Sequence, residues 1–573
     1  MPACQLNQAL GGAPRSGRLV NSRVDASFSA ATRAAHLSAM AAAPLDLLVV
    51  GGGITGAGIA RDAAMRGLRV ALVERADFAA GTSSRSSRLV HGGLRYLEHG
   101  ALHLVFEASR ERRILLRTAP HLVRPRSFLF PLFAGGRVPR WQLAAGLWLY
   151  DGLSLFRNVR RHQWLSKRGL LRAEPGLRAS DLEGGARYWD AQCDDARLTL
   201  ANVRDAHHHG ALVANYAAVE AFDAADGRVR GARVRDLTTG DRLTVRALVT
   251  VNATGPWSDA VRGDGRALLR LTKGAHVAVP RARVGHREAI TLLSPLDGRV
   301  MFILPWGDLT YVGTTDTDQD GPPDDVRVSG ADVRYLLRSA NAVFPDARLT
   351  PDDVITTWAG LRPLLRPAQA RRPTAVSREH RIVEGPGIIS VMGGKLTTYR
   401  AMAAEVTDRA VARLHEFDGR TPPPRARTDR EPLPGGETRD LELVAAEAVR
   451  EGVTADLARH LADTYGTEAP AVARLARSDP RLAAPVTPGH PAVRAQLVHA
   501  LRREMALTLA DLLIRRTHVF HEVRGHALAE AGGLVDVVAD EAGWDAGRKA
   551  RELTEYLAEV ERTEAFRTEI GDA

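Results

Sequence analysis

Gly51-x-Gly53-x-x-Gly56, with the acid Glu74 standing 23 residues after Gly51, is the pattern richest in chemistry. Gly51 permits a tight turn, Gly53 lets the backbone approach a pyrophosphate, and Gly56 lets a helix pack closely on its strand. The helix that follows offers unpaired N–H groups and the positive end of its dipole to phosphate oxygens. Glu74 is placed to accept hydrogen bonds from an adenosine ribose. A glycine triplet alone would be weak evidence. Here the apolar run Leu45–Val50 precedes it, a helical pattern follows, and a second apolar run from Val70 ends at the acid. That is a complete βαβ start.

Two cations stand out beyond this motif. Arg362 lies in the apolar segment WAGLRPLL, where a guanidinium needs an anionic partner, either a ligand or a structural carboxylate. Lys395 sits in GGKLTTYR and is one of only four lysines, against the chain's total of 78 lysines and arginines. A lysine kept in so arginine-rich a chain points to a need for a compact amine, the one strong cation that can titrate when desolvated. Lys273 in KGAH passes the same test, and His276 beside it is an alternative base. His207-His208-His209 has the look of a metal cluster, but three adjacent histidines cannot share one helix face, and no metal site is expected.

The elements that must hold these groups are scattered. Residues 45–125 carry the βαβ start, the loop GTSSRSSRLVHGGLRYLEHG and a helical stretch. Residues 211–262 alternate apolar and polar positions around Asp-Gly and Thr-Gly turn signals, a hairpin-rich β segment. Short apolar runs over 271–315 suit an antiparallel sheet, and 352–415 ends in a strand, a glycine turn and a helix. The Pro/Arg/Gly stretch 421–436 reads as a linker, and 440–573 is helical. A nicotinamide dehydrogenase normally completes its nucleotide fold locally. A second glycine turn some 340 residues after the first fits a flavin enzyme assembled from distant segments.

At 573 residues, 45% hydrophobic and 25% charged, the chain has length for three or four domains. A net charge of +11 suits an anionic substrate or an anionic membrane surface. No nucleic-acid motif or basic aromatic stripe accompanies it, so nucleic acid is not expected as a partner. Cys4 and Cys193 are too far apart for a disulfide framework, zinc or iron–sulfur site, and a reducing, cytoplasmic location fits. No apolar run reaches 18 residues. Residues 1–44 are Ala-, Ser- and Arg-rich with Asp25 their sole acid, and are expected to form a disordered extension rather than a transit segment, with Met40 a candidate start.

The stretches DLLVVGGGITGAGIARDAAMRG, TSSRSSRLVHGGLRYLEHG, CDDARLTLANV, VNATGPW, KGAHVAVP, ILPWGDLTYVGTTDTD, WAGLRPLL and GGKLTTYR, in this order, resemble the FAD-dependent glycerol-3-phosphate dehydrogenases over nearly all of 45–573. The helical tail with EMALTLADLLIRRT fits the same family. The resemblance implies oxidation of sn-glycerol 3-phosphate to dihydroxyacetone phosphate, with a hydride passing from C2 to FAD and electrons to a membrane quinone. Glycerol-3-phosphate oxidases, which use O₂, are similar but carry an inserted segment not seen here. The anaerobic relatives add C-terminal cysteines that this chain lacks. The implied fold is α/β with an α+β substrate domain. A Rossmann-like FAD domain is built from 45–125, 191–265 and 352–415, a substrate or cap domain from 126–190 and 266–351, and a helical C-terminal domain from 437–573.

Residue by residue, the resemblance points to Arg95 and Tyr96 for the substrate phosphate, with Arg378 a second candidate and Arg372 a competitor. Arg362 is implied near the reacting carbon. Lys395, assisted by Arg362, or else His276, is the candidate proton acceptor. FAD, held non-covalently, is expected to meet Gly51, Gly53, Gly56, Glu74, Thr82, Ser83, Ser84, His91, Gly92, Val219, Thr254 and Gly255, together with the turn Gly394, Lys395, Leu396 and Thr397. That second turn opens a helix able to stabilise negative charge on the flavin. Quinone reduction requires membrane contact at the inner face of the cell membrane. Residues 137–165, with Trp141, Trp148 and Trp164 among arginines and leucines, could lie in the interface, or could simply cover the substrate domain. The sequence leaves the oligomeric state open, a homodimer included.

Overall fold

The computed structural model describes residues 27–93, 101–154, 159–263, 265–366 and 380–571. Strand Leu45–Val50 is hydrogen-bonded in parallel to Val70–Val73 on one side and Arg242–Asn252 on the other, at the heart of an eight-stranded sheet. All six of its residues are buried, as a strand covered on both faces requires. Because side chains alternate along a strand, Leu47 and Val49 enter a core with helices Ile54–Met65, Asp195–His208 and Tyr399–Asp418. Leu48 and Val50 enter another, beneath helix Ala30–Ala42. Leu212–Ala214 and Ile388–Gly393 extend the sheet in parallel. The second glycine turn therefore arrives beside the first, although some 340 residues separate them in the chain. Ala217–Ala225 and Arg228–Asp236 form an antiparallel arm. Its turn residues Asp226 and Gly227 both take positive φ (52° and 72°), the geometry that Asp-Gly favours.

A ten-stranded second sheet supplies the other half. Strand Leu269–Pro280 pairs with both Leu309–Gly313 and Thr356–Leu365, in a register that sets His276 opposite Trp358 and Thr272 opposite Arg362. Helix Gly330–Val343 and Phe566 from the chain's far end pack on one face of this sheet. Leu143 and Leu147 of helix Arg140–Leu153 pack on the other.

Several sequence expectations need correction. Within 27–44, Ala30–Ala42 is a helix with Arg33, Leu37 and Met40 buried, and Phe28 joins the main core, so these residues are not a disordered extension. Arg33 is tied to the Asp236 carboxylate. Residues 356–365, expected in the nucleotide domain, belong to the second sheet, because their backbone ladder pairs with Leu269–Pro280. The expected linker is a packed strap: Leu433 is fully buried, its N–H donates to Thr118 O, and Arg61 donates to Glu431 O.

The C-terminal helices form the expected helical region, with cores of their own, and buried ion pairs tie it to the rest of the chain. Asp77, four residues past the Val70–Val73 strand, accepts hydrogen bonds at 2.5 Å from Arg515 and at 2.7 Å from Arg516. Arg197 pairs with Glu504 at 2.7 Å and Arg204 with Glu468 at 2.6 Å, all four side chains buried. Such pairs add little net stability beside apolar packing, but removing one partner strands a buried charge. They fix how the helices dock.

Candidate active site

Gly51 has φ of 111°, and a Cβ there would lie 2.7 Å from Ala253 O; a Cβ on Gly56 would lie 1.9 Å from Gly51 O. Both positions therefore accept only glycine. Gly53 begins the helix Ile54–Met65 without a side-chain cap, and the Ile54 N–H donates to Ser83 Oγ at 2.9 Å. Glu74 accepts from the Gly52 N–H at 2.6 Å and the Ala76 N–H at 2.9 Å, bracing the glycine turn; burial raises its pKa. At the second turn Gly393 and Gly394 take φ of 75° and 94°, again a conformation that favours glycine.

These turns border a cavity of ≈ 820 Å³ lined by Gly51, Gly53, Glu74, Thr82, Ser83, Val219, Thr254 and Gly255. A second cavity, ≈ 790 Å³, is lined by His91, His276, Thr314, Asp316, Arg362 and Thr397. Thr82, Arg85, Gly394, Lys395 and Leu396 line both, so the two join into one cleft. Each is in the size range that encloses a cofactor or drug-sized ligand.

In the second cavity Arg362 reaches Asp316 Oδ1 at 3.1 Å, Thr314 Oγ1 at 2.8 Å and Thr315 O at 3.1 Å. The structural ion pair and the cavity position thus coexist. His276 Nε2 meets Ser87 Oγ at 2.8 Å, and its ring stacks on Trp358 with centroids 5.1 Å apart. Burial, then the charges of Arg362 and Arg88, push its pKa down to about 3, so the imidazole is neutral. Arg88 lies behind that stack, within 4.5 Å of the Trp306 ring centroid. Thr82 Oγ1 donates to Leu361 O at 2.7 Å, tying the serine-rich loop to the strand that carries Arg362.

The remaining candidates sort as follows. Arg95, Tyr96, Arg372 and Arg378 lie outside the described residues. Ser84 is buried and lines neither cavity. Gly92 also lines neither: its N–H donates to Asp190 and Tyr150, and a Cβ would meet Tyr150 Oη at 2.3 Å. Lys273 pairs with Asp332 at 2.6 Å, which holds the start of helix Gly330–Val343, away from the cleft. His207 packs on Phe28 and His36, and His209 bonds Glu431.

Sequence reasoning missed two residues. Asp316 is 6% exposed and lines the cavity, and its Oδ2 has no hydrogen-bond partner among the described residues. It stood in the quoted stretch YVGTTDTD, but nothing in the spacing separated it from Asp318. Arg85 sits at the junction of the cavities, where burial lowers its pKa.

Residues 46–409 match the family described as FAD dependent oxidoreductase, and residues 426–549 match the C-terminal domain of alpha-glycerophosphate oxidase. The chain is 40% identical over 548 residues to glycerol-3-phosphate dehydrogenase 2 of Mycobacterium tuberculosis, covering 94% of this chain and 91% of that protein. It is 41% identical over 543 residues to glycerol-3-phosphate dehydrogenase of Mycobacterium leprae, covering 92% and 90%. The structure of glycerol-3-phosphate dehydrogenase from Bacillus halodurans complexed with FAD aligns with a TM-score of 0.77 at 33% identity, over 93% of this chain and 98% of that one. The helix start at Gly53, the glycine-only turns and the joined cavities are a cradle of the kind a dinucleotide needs.

Proposed function

From the premise that the chain belongs to the glycerol-3-phosphate dehydrogenase family of FAD-dependent oxidoreductases, we propose that it oxidises sn-glycerol 3-phosphate to dihydroxyacetone phosphate and passes the electrons to a membrane quinone. The observation that carries the reading is the joining of a glycine-walled cavity to one holding Arg362, Asp316, His276 and Lys395. Non-covalently held FAD, when bound, supplies the acceptor for the hydride leaving C2. Gly51, Gly53, Glu74, Thr82, Ser83, Val219, Thr254 and Gly255 are the residues that would hold its dinucleotide part. Gly394, Lys395, Leu396, Thr397 and His91 would border its reactive end.

The protein's own groups do the rest. Arg362, fixed by Asp316 and Thr314, stabilises charge developing on the C2 oxygen. Asp316 spends Oδ1 on Arg362, while its buried Oδ2 has no hydrogen-bond partner among the described residues. His276, neutral and flanked by two guanidinium charges, is suited to accept a hydrogen bond but poorly suited to hold a proton. That leaves Lys395, on the wall shared by both cavities, as the proton acceptor. Arg95, Tyr96 and Arg378 are assigned to the phosphate.

The acceptor assignment is supported by helix Arg140–Leu153, which buries Leu143 and Leu147 while Trp141 and Trp148 are 73% and 56% exposed. Covering the sheet and presenting aromatics outward are thus compatible roles. Among the described residues no helix is long and apolar enough to cross a membrane, and the attachment proposed is peripheral. Replacing Trp141, Trp148 and Trp164 should lower partition onto anionic vesicles; unchanged partition rejects this patch.

Anaerobic stopped-flow tests the reaction itself. Glycerol 3-phosphate should bleach the oxidised-flavin band, and Lys395→Ala should slow that bleaching at least 100-fold. Normal bleaching by Lys395→Ala removes the proton-acceptor assignment. Reoxidation by a quinone analogue rather than O₂ separates dehydrogenase from oxidase.

A further inference from the structure

The arginines on the wall of the joined cleft differ in what holds them. Arg362 and Arg299 reach Asp316, Arg75 pairs with Asp324, and Arg562 donates to Asp324 O. Arg85 lines both cavities, yet its guanidinium makes no hydrogen bond and no ion pair with the described residues. It is partly buried, and the charges that act on it are those of Glu559, Arg562, Arg515 and Asp324. Two of these four are themselves arginines. The carboxylates stand beyond ion-pair distance, and Asp324 is already engaged by Arg75. A cation drawn out of water beside like charges is costly until an anion arrives.

The position of Arg85 in the chain says which anion. The turn Thr82–Ser84 leans on the start of helix Ile54–Met65: Ser83 Oγ accepts from the Ile54 N–H at 2.9 Å, and a Cβ on Gly53 would lie 3.2 Å from that oxygen. This helix start is where free N–H groups and the dipole favour phosphate. On its other side the loop is pinned to strand Thr356–Leu365. Thr82 Oγ1 donates to Leu361 O at 2.7 Å, and a Cβ on Gly360 would lie 2.6 Å from Arg85 O. Arg85 is therefore held two residues from the phosphate end of the helix. The helix terminus contributes only about half a positive charge, whereas a pyrophosphate bears a negative charge on each phosphate. Glu74, on the same cavity wall, adds to the negative side.

We infer that Arg85 binds the pyrophosphate of FAD, its guanidinium balancing the negative charge that the helix start at Gly53 leaves uncompensated. The inference rests on the FAD dependence of the family and adds to the site a side chain that the glycine motif does not contain. A guanidinium suits the task because its planar fork can meet two phosphate oxygens at once, where an ammonium acts as a point charge.

The test uses the full chain, stripped of FAD and then titrated with FAD, ADP or adenosine, in wild type, Arg85→Gln, Arg85→Lys and Glu559→Gln. Arg85→Gln should raise the FAD dissociation constant at least tenfold, as suits the loss of a charge-assisted contact, and Arg85→Lys should fall between it and wild type. ADP should weaken as FAD does, while adenosine, which lacks the phosphates, stays within twofold. The melting temperature of FAD-free Arg85→Gln should hold or rise, because an uncompensated charge has gone, and its increase on adding FAD should shrink. The flavin midpoint potential should not move, since oxidised and reduced FAD carry the same pyrophosphate.

A FAD dissociation constant within twofold of wild type in Arg85→Gln would overturn the assignment. So would a loss confined to reduced FAD, seen as a lowered midpoint potential, which would place Arg85 against the flavin ring. A raised KM for glycerol 3-phosphate with unchanged FAD affinity would give it to the substrate phosphate. A fall in FAD-free melting temperature that Glu559→Gln reproduces, again with unchanged FAD affinity, would make Arg85 a tether for helix Ala546–Glu564. A wild type that takes up no FAD refutes the cofactor itself, a different failure.

Discussion

Replacing Gly56 by alanine tests the cofactor cradle most directly. The added Cβ would sit 1.9 Å from Gly51 O, where ordinary contact begins at 3.4 Å, and 3.4 Å from Ala253 Cβ. The opposing atom is main chain of the first glycine turn, so no side chain can swing aside. Either helix Ile54–Met65 or the turn must move by more than an ångström, and Gly51, Gly53 and Ile54 all line the nucleotide cavity. Overpacking a tight site costs about 1–3 kcal/mol, and a rigid backbone obstacle argues for the upper end. If the turn yields, about 3 kcal/mol at ~1.4 kcal/mol per tenfold raises the FAD dissociation constant roughly 100-fold. Titrating apoprotein with FAD and following flavin fluorescence measures this directly. Gly533→Ala is the control, because its Cβ meets nothing and it lies in helix Ala531–Ala542, where alanine should be neutral or stabilise by ~0.5–1 kcal/mol. A Gly56→Ala protein that binds FAD within threefold of wild type, with an unchanged melting temperature, would refute the close-packing argument.

Asp77→Ala should destabilise the chain by about 3 kcal/mol in denaturant titration, since it removes the carboxylate shared by two buried guanidiniums and leaves Arg515 with Asp511 and Arg516 with Glu504. A loss under about 1 kcal/mol would mean that the network relaxes freely. Acid should act in two stages. Burial, aided by neighbouring arginines, pushes His121 and His276 down to about 3, and burial also takes His499 to about 4, so all three fold neutral. The unfolded chain takes up their protons below about 6.5. Their contribution is complete above that pH and falls as the pH drops towards 4. Asp77 and Glu468, which burial alone would raise, are held down to about 2 by facing arginines. Their contribution is lost below about 4, on the way to pH 2. A melting temperature flat between pH 6.5 and 5 contradicts the first stage. Finally, Arg75 lies 4.6 Å over the Trp257 ring and pairs with Asp324, whose carbonyl accepts from Arg562, all at the wall of the nucleotide cavity. Asp324→Ala should speed FAD release up to ~5-fold, as suits an exposed pair, and should reduce its sensitivity to salt. An unchanged rate would show that the pair does not restrain the nucleotide.

By itself the sequence determined what local rules can specify. Gly51, Gly53, Gly56 and Glu74 announced a dinucleotide turn because the geometry they serve is made within thirty residues. Asp226-Gly227 announced a hairpin for the same reason. Arg362 and Lys395 were legible as cations in unusual company. Only the tertiary structure decided what depends on neighbours distant in the chain. Lys273 and Lys395 look alike in sequence, yet Asp332 takes the first while the second lies where two sheets meet. The β register alone puts Trp358 against His276, and only burial beside Arg362 and Arg88 keeps that imidazole neutral. Residues 421–436 have a linker's composition, but Leu433 and Arg61 make them a strap. Asp316 differs from Asp318 in nothing a sequence shows. A strand's end buries one carboxylate in the cleft and leaves the other paired with Arg270 at the surface.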